Sequence, residues 1–292
     1  MVKSGSTPTD LSFEHLAARF VDEVTAYSPV GATHLGDHRH DAILDDVSPE
    51  ARQGKAAFCR AVLDELANIP RGGLSRANQV DSAMLGHRLR SEIWHIEELR
   101  EWSWNPMGCT ALAGNAIYGL VARDFAPLAD RLANAAARME QIPRMLAQGR
   151  AAIDIPRAPK VHTETAIKQN PGVITLIETM IRPHVGSLGQ ADRRRMEQAI
   201  ATARQAVEDH QKWLVDEVLP KAEGNWRLGA ELFDRKLSLA LASRLTRQDI
   251  RKLAEAELLR VRRQMYDLAA EVYRREDPCT RLPARPSKPP PT

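Results

Sequence analysis

The sequence predicts an all-α protein of about ten helices, two of them long, in an irregular antiparallel helical array. Three observations carry this. Apolar residues recur in steps of three, four or seven over most of the chain, as one buried helical stripe requires. Sustained period-2 alternation and β-branched clusters, the marks of strands, are almost absent. Ser, Thr or Asp followed by acidic residues, and Pro or Gly breaks, fall where such stripes begin and end.

Residues 1–9 carry no periodicity and are expected to be disordered. Asp10 or Ser12 can cap a first helix that buries Leu16, Phe20, Val21 and Val24 and ends before Pro29. The next clear start is Ser48-Pro49-Glu50. A serine hydroxyl accepts from an orphan N–H, proline at the first position has no N–H to lose, and glutamate suits the positive end of the dipole. That helix runs to about Pro70. Ser75 opens another through Val80, Leu85, Leu89 and Ile93 to about Leu99, where the segment leading to Pro106 breaks it. A short helix is expected at 107–122, then two across 126–152, the second starting at Pro143. The segment 161–185 is interrupted by Pro171 and Gly172.

From Asp192, Met196, Ile200, Ala203, Val207, Leu214 and Val218 form the stripe of a long helix that Pro220 and Gly224 end. A short helix near 231–241 precedes a second long one, with Thr246 and Asp249 as a capping-box pair. Its buried face should be Ile250, Leu253, Leu258, Val261, Met265, Leu268 and Val272. Residues 10–276 thus form one helical domain. Residues 277–292 hold six prolines and no periodicity, and are expected to be a disordered or polyproline tail.

With 41 basic and 38 acidic residues interspersed, the net charge of +3 names no partner. The Arg244–Arg263 stretch interleaves both signs and reads as a solvated face rather than a nucleic-acid surface. Three scattered cysteines, Cys59, Cys109 and Cys279, make neither a disulfide framework nor a zinc ribbon. No run approaches the roughly 20 apolar residues of a membrane span. The N-terminus lacks a signal-peptide core, so a cytoplasmic location is expected, with no membrane partner.

Residues 31–46, GATHLGDHRHDAILDD, set three histidines among four aspartates. His34, His38 and His40 are the metal candidates. His34 and His38 are four apart, yet Leu35 stands where a zincin would place its glutamate, and Gly31 and Gly36 favour a loop. A polar turn whose Asp and His side chains satisfy backbone groups fits better. Trp94, Trp102 and Trp104 lie beside Glu97, Glu98 and Glu101, and read first as core mass with one hydrogen-bonding handle each. No nucleotide-binding glycine motif and no nucleophile elbow is present.

The ordered series Pro29, Thr33, Gly36, Asp41, Asp46 and Ser48 resembles the opening of the bacterial family called domain of unknown function 885. Gln79 and Asp81, Asn105-Pro106, the segment 123–150 and RLGAELFDRKL continue the match over about residues 10–276. The resemblance implies kinship to zinc metallopeptidases of the HExxH kind, whose zinc motif lies in a second half. This chain has no HExxH, so no catalytic residue and no cofactor carries over; zinc is expected in full-length relatives only. The implied role is a non-catalytic N-terminal half that walls one side of a peptide cleft. Its partner would be the missing catalytic half or a second copy. Hydrolase activity is expected of relatives, not of this chain alone.

Rim candidates for that cleft are Thr33, Gly36, Asp37, His38, Asp41, Trp102, Trp104 and Asn105, being polar or aromatic and outside helix interiors. On this reading the proline-rich tail is a frameshift or truncation product. The alternative is a stand-alone helical interaction module, and a third reading is DNA binding through the last helix.

Overall fold

The computed structural model describes residues 7–277, 279 and 281–287. It contains eleven α-helical segments and no strand among the described residues. Two of the segments run together through Asn170, whose backbone is itself helical, so the expected all-α fold of about ten helices is what forms. No described helix is long and apolar enough to cross a membrane. The chain divides into two compact units, Met1–Arg227 and Leu228–Thr292.

The first unit holds α1 (Pro8–Val24), α2 (Pro29–Leu35), α3 (Pro49–Ala67), α4 (Arg76–Trp94), α5 (Met107–Val121), α6 (Leu128–Ala152), α7 (Lys160–Gln169), α8 (Pro171–Leu176) and α9 (Gln190–Trp213). Its main core lies where α5, α6 and α9 meet, around Ile117, Leu120, Met139, Ile142, Met145 and Ile200. Ala135, Ala199 and Ala203 are fully buried there, and such small side chains let α6 and α9 approach closely. Gly149 of α6 does the same toward α5, since a Cβ there would fall 2.1 Å from the Cys109 sulfur. A second core joins α1, α3 and α4 through Phe13, Leu16, Val62, Leu66 and Leu89.

Several boundaries differ from expectation for physical reasons. Of the N-terminal stretch expected to be disordered, residues 1–6 lie outside the described residues. Thr7 to Thr9 are the cap and first turn of α1. Thr7, not Asp10 or Ser12, is the N-cap, and Asp10 completes its capping box from the third helical position. Pro143 starts no helix: α6 runs unbroken for 25 residues with the proline inside. Interior proline costs a backbone bond, but Met139, Ile142, Met145 and Leu146 around it are wholly buried, and that packing outweighs the loss. Part of the expected loop at 31–46 is helix α2, begun by Pro29 and ended by Gly36. Gly36 sits at φ 88°, the left-handed conformation glycine adopts without penalty, and its N–H bonds back to Ala32 and Thr33.

The second unit consists of α10 (Ala230–Leu241) and α11 (Arg247–Glu276). Thr246 and Asp249 form the expected capping box. The expected buried face of α11 is not buried: Leu253, Leu258, Val261, Met265, Leu268 and Val272 are all exposed, Leu268 by 67%. In the tail, residues 278, 280 and 288–292 lie outside the described residues. Arg285 pairs with Asp267 at 2.8 Å, and the Tyr266 hydroxyl donates to the Pro283 carbonyl at 2.7 Å, so residues 281–287 are tied to α11.

Candidate functional site

The stretch 31–46 is organised by one side chain from far along the chain. Arg138 of α6 is fully buried. Its Nε donates to the Ile43 carbonyl at 3.0 Å and its Nη1 to the Ala116 carbonyl at 3.0 Å. Its Nη2 donates to Thr33 Oγ1 at 2.7 Å, to the Pro29 carbonyl at 3.2 Å and to the His40 carbonyl at 3.4 Å. A guanidinium presents a fixed fork of donors, which suits it to gathering carbonyls from several directions. Burial pushes its pKa down, while Asp41 and Asp45 push it up.

The relay continues outward. Thr33 Oγ1 donates to Asp41 Oδ1 at 2.6 Å, and Asp41 Oδ2 is 2.9 Å from His38 Nδ1. The His38 ring stacks on Phe125 at 3.6 Å between centroids. Asp45 accepts from the Val30 N–H at 2.8 Å and so caps α2, whose own N-cap, Ser28, makes no side-chain cap. Asp46 accepts from the Ser48 N–H at 2.9 Å.

The same face of α6 reads the main chain beyond. Gln141 accepts from the Leu44 N–H at 3.1 Å and donates to the Ala42 carbonyl at 2.9 Å. Arg144 donates to the Leu44 carbonyl at 3.0 Å, and Gln148 accepts from the Val47 N–H at 3.2 Å. One turn-pair earlier, Arg131 donates to the Ala126 carbonyl at 2.9 Å and the Arg123 carbonyl at 2.8 Å, holding the loop after α5. An irregular segment without its own ladder thus has its backbone groups satisfied by side chains.

The structure separates the rim candidates. Thr33, Asp41 and Trp104 are buried, so they cannot meet a substrate from where they sit; they support the turn. Gly36 and His38 are exposed, and Asp37, Trp102 and Asn105 are half-buried. Arg39 on Asp37 holds that carboxyl down at about 2. Trp102 donates from Nε1 to the Ile96 carbonyl at 3.0 Å, and Trp104 to the Leu99 carbonyl at 3.0 Å. Asn105 caps the start of α5 by accepting from the Met107 N–H at 3.2 Å. The three histidines are used separately: His38 on Asp41 and Phe125, His34 against Gly119, His40 through its carbonyl on Arg138. Among the described residues no three His, Cys, Asp or Glu side chains are grouped as a metal ion would need.

Sequence reasoning misses Arg131, Arg138, Gln141 and Gln148. A signal exists: they recur at steps of seven, three and seven on a helix whose neighbouring positions are apolar, which marks a polar stripe inside a core-facing helix.

The fold and this clamp define an all-α scaffold in which one central helix fixes a long irregular turn. The chain belongs to the family described as bacterial protein of unknown function (DUF885), whose model matches residues 29–288. No curated protein matches the sequence. The fold is similar to a solved structure from Shewanella oneidensis described as a candidate lipoprotein of unknown function. Identity is 26% and the TM-score 0.79, over 93% of this chain and 50% of that one. The chain therefore spans about half the length of the structure it matches.

Proposed function

We propose that this chain is the N-terminal helical half of a zinc metallopeptidase-like fold and walls one side of a peptide cleft, without hydrolytic chemistry of its own. The observation that carries the reading is the apolar stripe of α11. Six apolar side chains on one helical repeat stand exposed, and a patch of that kind ordinarily meets a partner surface. The similar structure is about twice as long, which leaves length there for the second half that this reading sets against the stripe. The turn held by Arg138 offers Gly36, Asp37 and His38 as the rim, with Trp102 and Asn105 at the α4–α5 junction. Zinc and its general base would come from the other half, because hydrolysis at such a centre needs three protein ligands and a carboxylate to take the proton of bound water. A cytoplasmic location belongs to the same proposal and is checked by cell fractionation. Fusing residues 1–276 to the C-terminal half of a family member tests the reading: zinc-dependent peptide hydrolysis supports it, and a folded but inactive fusion contradicts it.

A second reading, a stand-alone helical interaction module, is favoured by a cleft of about 350 Å³ between α5 and α7–α8. Gly114, Asn115, Tyr118 and Gln169 line it, as does Thr110, a buried residue whose hydroxyl has no partner among the described residues. A monodisperse protein that binds one defined peptide in this cleft, and never complements a catalytic half, would favour this reading.

A further inference from the structure

A separate cavity of about 430 Å³ opens beside α3 and the α4–α5 junction. Arg52, Gln53, Ala56, Ile96, Arg100 and Trp102 are among its walls. The Arg52 guanidinium lies 3.9 Å from the centre of the Trp102 ring and that of Arg100 lies 5.1 Å from it. The indole is fixed by its bond to the Ile96 carbonyl. Arg52 is anchored by donating to the Val47 carbonyl. Glu97 also lines the cavity, but it is paired with Arg60. Among the described residues no carboxylate stands within ion-pair distance of Arg52 or Arg100. Two like charges are therefore held around one indole with no carboxylate in contact, Asp46 and Glu50 acting on Arg52 only from farther off, an arrangement whose repulsion an anion relieves. Burial lowers the Arg52 pKa and the Arg100 charge adds to that, while Asp46 and Glu50 act the other way.

Arg100 carries a further cost. It ends the π-helical turn after α4 at φ 48°, in the left-handed region that favours glycine. Among the described residues its side chain makes no ion pair, whereas it reaches the cavity.

We propose that this cavity binds an organic oxyanion, a carboxylate or phosphate group on a small apolar body. The two guanidiniums receive the oxygens, as their forked donors suit. Ala56, Ile96 and the indole face the apolar part.

The test is a titration of the full chain with benzoate, phenyl phosphate, benzamide and inorganic phosphate at constant ionic strength, read by calorimetry and tryptophan fluorescence. Benzoate or phenyl phosphate should bind saturably and at least tenfold more tightly than neutral benzamide. Inorganic phosphate should bind more weakly than phenyl phosphate; equal binding would show that the oxyanion alone is recognised and would overturn the organic part of the proposal. Arg52→Gln and Arg100→Gly should each weaken binding at least tenfold. Arg100→Gly should also raise the melting temperature without ligand, because glycine adopts that backbone freely, so its loss of binding cannot come from unfolding. Equal binding of benzoate and benzamide, no saturable binding by any probe, or unchanged binding in Arg100→Gly would each overturn the proposal.

Discussion

Arg138 Nη2 lies 2.7 Å from Thr33 Oγ1, and the two residues stand 105 positions apart in the chain. Through this contact a central core helix holds a turn that has no regular hydrogen bonding of its own. Replacing Arg138 by alanine removes the donors from the Pro29, Ile43 and Ala116 carbonyls together, and should cost about 3–5 kcal/mol, as loss of one partner from a buried charged network does. Arg138→Lys should recover little, because an ammonium cannot span the same directions. Urea unfolding gives the loss, and limited proteolysis should cut within residues 36–48 first. A lysine variant as stable as the wild type would remove the clamp from this account.

His210 of α9 provides a second prediction. It is 1% exposed, and neither ring nitrogen has a partner among the described residues. Burial, aided by the Arg150 charge, pushes its pKa down to about 4. The unfolded value is about 6.5, so the stabilisation is full above that pH and is lost as pH falls toward 4. The loss should reach up to about 3 kcal/mol at the lower end. His210→Gln should flatten the stability profile between those limits, measured as denaturation midpoint against pH. A wild-type profile already flat there would show that the imidazole finds a partner or water.

Asp10 governs a lower window. Its carboxylate accepts from the Ser75 N–H at 2.8 Å, from Asn78 Nδ2 at 2.7 Å and from the Thr7 N–H at 3.2 Å, joining the starts of α1 and α4. The Ser75 N–H above all, then Asn78 and Thr7, outweigh its burial and hold its pKa well below the usual carboxylate range. Its contribution is therefore complete above about pH 4 and drains away as pH falls below that. Asp10→Asn should lower stability at neutral pH and make the acid limb shallower than in the wild type. An unchanged acid limb would assign the acid sensitivity elsewhere.

Local signals were legible where the structure is local. Ser48 and Thr246 cap the helices that their hydroxyls and following acidic residues announce, because capping depends on neighbours within a turn. Pro143 reads as a helix start and lies inside α6 instead, since its effect on a helix is decided by burial that only the tertiary fold supplies. The short α2 was hidden by Gly31 and Gly36, and it stands because Asp45, fifteen residues on, caps its start. Asp45 and Asp46 accept main-chain N–H groups, as the turn reading expects, whereas the His38 ring meets a carboxylate and the Phe125 ring instead. The organiser of this turn was not legible, because Arg138 meets it across some hundred residues. The stripe of α11 was plain in the periodicity, but no period tells whether a stripe is covered.

Mixing residues 1–276 with a separately expressed C-terminal half from the family, and following zinc-dependent peptide hydrolysis, tests whether this chain is one wall of a two-half fold. Leu268→Lys serves as the control, since an exposed side chain should change the stability of the isolated chain by no more than about 0.5 kcal/mol. Activity is expected on mixing, none from either half alone, and at least a tenfold loss with Leu268→Lys. Hydrolysis that is equally strong with Leu268→Lys, or absent from a mixture in which both halves are folded, would contradict the two-half fold.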